Sequence, residues 1–135
     1  MTVSASSGWI AFALIPLAAS SGWVLRRIGG RYALRMRPHY VVGYGAAALA
    51  AAHAWASAGT MGGADARGIW IATIAVLELL AQTFLGVSLQ APGVYRVPLR
   101  RWHGVTFFAV LALAAVHVVL NGPVGATVIA AATAR

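Results

Sequence analysis

Long apolar runs, interrupted by short stretches rich in arginine, glycine and proline, organise this chain. Crossing a bilayer as a helix takes about 20 mostly apolar residues. Four runs meet that length: residues 8–25, 39–58, 68–89 and 103–120. Pro38 suits the first turn of the second run, where a missing N–H costs nothing. Pro16 predicts a kink in the first, and Asn121-Gly122-Pro123 predicts a stop after the fourth, leaving a small apolar tail. Trp9, Trp23, Trp55, Trp70 and Trp102 all fall near predicted span ends, as expected of tryptophans at a membrane–water interface. The pattern predicts a single all-α domain over residues 1–135, a transmembrane four-helix bundle with up-down-up-down topology.

Composition narrows the class further. The chain is 61% apolar and only 9% charged, with a mean hydropathy of +0.81. Soluble domains carry about 25% charged residues, and disordered segments are poor in apolar ones. Both classes are excluded. With no cysteine, the chain cannot supply disulfides, thiolate metal ligands, iron–sulfur ligation or a covalently attached c-type haem. The first run lacks the basic stretch of a signal peptide and is expected to be retained.

The net charge of +8 comes from ten arginines against two acids. Because the arginines lie between apolar runs, they point to a membrane rather than to nucleic acid. Arg26, Arg27, Arg31, Arg35 and Arg37 separate the first two runs, and Arg96, Arg100 and Arg101 the last two. The middle connection has only Arg67, opposed by Asp65. The positive-inside rule puts the two arginine-rich loops in the cytoplasm and both termini outside, in an integral protein of a bacterial inner membrane.

Four histidines carry the candidate chemistry. His39 and His53 are fourteen residues apart, as are His103 and His117. Fourteen residues is two heptads, so each pair shares a helix face, separated by about 21 Å along the axis. Spans two and four run in the same direction. His39 therefore lies level with His103, and His53 with His117. Two neutral imidazoles facing across a bundle can supply both axial ligands of a haem iron, whereas zinc would lack a third and fourth ligand at either level.

Small residues accompany the histidines. Gly43, Ala46 and Ala50 share the histidine face of the second span, and the pairs Gly8/Gly22 and Ala72/Gly86 are also fourteen apart, a spacing expected to open room for a flat macrocycle. An offset of 64 maps Gly8 to Ala72, Gly22 to Gly86, Arg37 to Arg101, His39 to His103 and His53 to His117. This predicts a duplicated helix pair related by an axis along the membrane normal. Arg37 and Arg101, two residues before a histidine, are candidate partners for haem propionates. Glu78, with Gln82 four residues on, lies mid-span, where a carboxyl is costly and faces the protein interior. It suits either a proton relay or a hydrogen bond to a neighbouring helix. Tyr40, Tyr44 and Tyr95 suit a pocket border or an interfacial anchor. No nucleotide-binding fingerprint occurs.

Two histidine pairs on the second and fourth helices, with spaced glycines on the first and third, resemble the four-helix haem core of membrane cytochromes b over nearly the whole chain. The resemblance implies two non-covalent b-type haems, one held by His39 and His103 and the other by His53 and His117. It also implies electron transfer across the membrane between quinone or quinol and a partner redox protein or subunit. The chain lacks the extra helices that form the quinol-oxidation site of bc-type complexes. Two other readings of the same bundle are a haem-free anchor for a larger enzyme and a small transporter.

Overall fold

The computed structural model describes residues 3–59, 65–91, 93 and 95–122. Its elements are α1 (Val3–Leu25), α2 (Tyr32–Arg35), α3 (Arg37–Ser57), α4 (Ala66–Ser88) and α5 (Arg96–Asn121). Four long helices form an up-down-up-down bundle, with α2 a single turn in the first connection. α1 packs along α3 and α4 along α5, while contacts between these two hairpins are sparser.

Helix ends follow local chemistry. α1 continues through Pro16, so the proline does not end it. Arg37 and Pro38 open α3, as the proline position anticipates. Asp65 caps α4, accepting from the backbone N–H of Arg67 at 2.8 Å and of Gly68 at 3.3 Å. α5 starts seven residues before the expected boundary. Arginine is a good helix former whose aliphatic stem lies along apolar surface, and Pro98 falls in the first turn, so the basic segment extends the helix. α5 ends at Asn121, where the Gly122 N–H donates to Val118 O at 2.8 Å; Pro123 and the apolar tail lie outside the described residues.

Ala5–Leu25, Ala66–Ser88 and Arg96–Asn121 are long and apolar enough to cross a membrane. The protein is an integral membrane protein with a lipid-facing surface. α3 has the length but is less apolar, because His39, Tyr40, Gly43, Tyr44, Gly45 and His53 dilute its alanines. It lies along α1 as the fourth member of the bundle. All five tryptophans are exposed, and each falls within two residues of a histidine-level position, so the two aromatic belts mark the histidine depths.

The interior is layered in heptads. Ile15, Ala46, Leu79 and Val110, one from each long helix, form the buried core cluster. Each lies seven residues from the histidine-level positions on both sides: 8 and 22 on α1, 39 and 53 on α3, 72 and 86 on α4, 103 and 117 on α5. Ile15 and Leu79 are related by the 64-residue offset, as are Ala46 and Val110. Seven residues rise about 10 Å, so a dry apolar layer separates two levels that each hold a histidine pair.

Candidate functional site

α3 and α5 bring the histidines together level by level. The ring centres of His39 and His103 are 6.2 Å apart with planes at 78°; those of His53 and His117 are 6.3 Å apart at 69°. Three of the rings are held by their Nδ1 edge. His39 Nδ1 lies 2.7 Å from Ala18 O, His103 Nδ1 lies 3.2 Å from Gln82 O, and His117 Nδ1 lies 3.1 Å from Gly68 O. A carbonyl only accepts, so in each neutral ring Nδ1 carries the proton and Nε2 keeps its lone pair. Both hydrogen bonds at the first level span 21 residues, and Ala18 and Gln82 are themselves 64 apart. At this level the 64-residue offset therefore also relates the backbone groups that hold the rings.

The glycines seat these imidazoles. A Cβ on Gly22 would lie 2.9 Å from His39 Nδ1, and one on Gly8 would lie 2.8 Å from the His53 ring. On Gly86 the distance to the His103 ring would be an ordinary 3.4 Å. These glycines let the Nδ1 edge approach a neighbouring helix and turn Nε2 toward the bundle interior. That differs from the expected role of opening room for a macrocycle; of the three, Gly86 alone also lines the cavity described below. Ala72 takes the register of Gly8. Gly43 faces open space on the cavity wall, Ala46 is buried in its floor, and Ala50 packs against the core layer.

A cavity of about 770 Å³ lies between the two hairpins at the His39–His103 level. Such a volume suits a cofactor-sized ligand. Its floor is the core layer, and its walls include Phe107, Gly86, Gly43 and both histidines. Its mouth carries Arg26, Arg96 and Arg100. Arg37 and Arg101, singled out by their nearness to histidine in sequence, are exposed and off the cavity wall. Arg101 follows Arg100 by one residue, about 100° further around α5, and Arg37 opens α3, whereas Arg26 directly follows α1. Tyr40 stacks edge-on to His39 at 5.8 Å and lines the cavity with Tyr44, whereas Tyr95 is exposed at the start of α5. Gln82 lines the cavity and its Oε1 accepts from Thr106 Oγ1. Glu78 is half-buried on α4.

Among the described residues no group of three or more His, Cys, Asp or Glu side chains converges on one point. Each level offers two imidazoles, half of a tetrahedral zinc shell but a complete axial pair for a metal already held in a plane. The chain matches no family model, no curated protein and no solved structure.

Proposed function

We propose that this protein is a dihaem b-type cytochrome that carries electrons across the membrane, related to the membrane cytochromes b its histidine pattern resembles. The separation of the paired rings carries the reading. An imidazole nitrogen lies about 1.2 Å from its ring centre and binds a first-row metal at about 2.0–2.1 Å, so a linear N–metal–N unit sets two ring centres about 6.4 Å apart. A direct N–H···N hydrogen bond of about 3 Å would bring them to about 5.3 Å. The observed 6.2 and 6.3 Å leave room for a metal atom between the rings and exceed a direct hydrogen bond. The Nδ1 hydrogen bonds support the same reading, since a ligating histidine donates its other N–H to a carbonyl or carboxylate, which fixes the tautomer and raises ligand basicity.

Haem, when bound, supplies one-electron iron chemistry. His39 with His103, and His53 with His117, would hold it through Nε2. Two histidine ligands at each level would suit electron transfer rather than oxygen binding. Ile15, Ala46, Leu79 and Val110 would keep the space between the levels dry. Arg26 and Arg100 fit anionic propionates at one level through charge-assisted hydrogen bonds. Electrons would pass to and from quinone or partner subunits in a bacterial inner membrane, the arginine-rich end facing the cytoplasm.

A reduced-minus-oxidised spectrum of purified protein, with pyridine haemochrome quantification, tests the reading. The expected result is a low-spin b-type α band and two haems per chain. A colourless, fully folded preparation would overturn it in favour of an anchor or a transporter.

A further inference from the structure

The arginine-rich end of the bundle carries more than orientation requires. Eight of the ten arginines, residues 26, 27, 31, 35, 37, 96, 100 and 101, lie there, while the two acids lie elsewhere: Asp65 at the opposite end and Glu78 mid-span. Asp65 is engaged by Arg67 at 2.8 Å, the one ion pair among the described residues. Among the described residues, none of the eight guanidiniums forms an ion pair with a carboxylate. Topogenesis accounts for their number and side, but it is indifferent to where each side chain goes.

Two of them converge. Arg35, from α2, stands over the Tyr32 ring at 5.5 Å, and Arg96, from the start of α5, stands over the same ring at 5.4 Å. They come from opposite halves of the chain. Both are tied to the ends of earlier elements, Arg35 to Ile28 O and Arg96 to Leu89 O at 3.4 Å. The Nε of each is buried without a hydrogen-bond partner among the described residues. Two like charges held against one aromatic ring, with no carboxylate beside them, favour an anion that accepts from the terminal nitrogens of both guanidiniums. The depth is the membrane surface: Trp23, with Arg27 stacked on it at 3.5 Å, marks the interfacial belt. An anion at that depth, beside exposed apolar Ile28 and Leu34, is the headgroup of a lipid.

We propose that Tyr32, Arg35 and Arg96 form a headgroup site for an anionic phospholipid at the arginine-rich end of the bundle. The phosphodiester accepts from the two guanidiniums, and the acyl chains run along the adjoining apolar surface. Basic pockets between membrane helices bind acidic headgroups in this way. The site does not depend on haem and would exist equally in a haem-free anchor.

The test is lipid titration of the purified full chain in detergent, read by native mass spectrometry, with phosphatidylglycerol and phosphatidylcholine as probes. Phosphatidylglycerol is expected to bind at least tenfold tighter. R35Q/R96Q should lose roughly tenfold or more of that affinity, with helical circular dichroism unchanged. R31Q/R37Q, which removes two exposed arginines from the same end, should lose threefold or less, and R35K/R96K should retain part of the binding. Should R35Q/R96Q fail to fold, Y32L, which keeps every charge, is expected to lose about threefold. Equal losses from the two glutamine pairs would mean diffuse attraction and overturn the site. So would equal affinity for the two lipids, or displacement by millimolar inorganic phosphate, which would mark a soluble-anion site.

Discussion

His39 and His103 lie 64 residues apart in sequence and face each other at 6.2 Å between ring centres, each anchored through Nδ1 to a carbonyl 21 residues before it. The equivalent pair, His53 and His117, faces across the bundle at 6.3 Å, with His117 Nδ1 on Gly68 O.

If the pairs act as units, His39→Ala and His103→Ala should remove the same haem, and His53→Ala and His117→Ala the other. Each variant is expected to retain about half the haem of the parent by pyridine haemochrome assay. A single substitution that empties both levels, or neither, would break the pairing.

Glycine-to-alanine substitutions should separate by the room each position has. A Cβ at Gly22 meets a ring held against Ala18 O, which can move away only by giving up that hydrogen bond. Gly22→Ala should lose most of the haem at the His39–His103 level, and Gly8→Ala most of that at the other. Gly86→Ala, with 3.4 Å to the nearest ring atom, should keep nearly all of it. Redox-difference spectra of the three variants check the order, and a Gly86→Ala loss equal to that of Gly22→Ala would contradict it.

Ala46 is 2% exposed and packs with Ile15, Leu79 and Val110 in the layer that floors the cavity. Ala46→Leu should cost about 1–3 kcal/mol where the added methyls crowd those three side chains, measured as an earlier midpoint in a denaturing-detergent titration. Because the layer lies between the levels, both histidine pairs should respond.

At the opposite end, the Arg67 side chain, through hydrogen bonds to the Asp65 carboxylate, lowers its pKa from the usual value to about 2. A carboxyl with a depressed folded-state pKa stabilises the fold above its unfolded value, near 3.9, and that contribution disappears as pH falls through the folded value. The protein should therefore lose stability between about pH 4 and pH 2. Asp65→Asn, which still caps α4 but cannot ionise, should show a flatter profile over that range in thermal melts. An identical profile for both proteins would rule the carboxylate out as the source.

Much of the bundle is legible without coordinates because helix periodicity is local physics. A 1.5 Å rise and a heptad register place residues 39, 46 and 53 on one face whatever they pack against. The α5 boundary was not legible in the same way, since arginines read as a loop until they lie along the side of a helix. The carbonyls that hold the rings were within reach of the 64-residue offset, which relates Ala18 to Gln82 as it relates His39 to His103. Backbone acceptors leave no mark in residue type, so the offset alone does not single them out.

The amino-acid order by itself determined the spans, the duplication and which histidines share a level, because each follows from apolar length and from spacing along one helix. Packing decided the rest. It set the gap between facing rings, gave the glycines their task of seating imidazoles, and drew Arg26, Arg96 and Arg100 to the cavity mouth while leaving Arg37 and Arg101 outside. Those outcomes depend on the distance and rotation between helices, which the contacts of all four fix together and no single segment encodes.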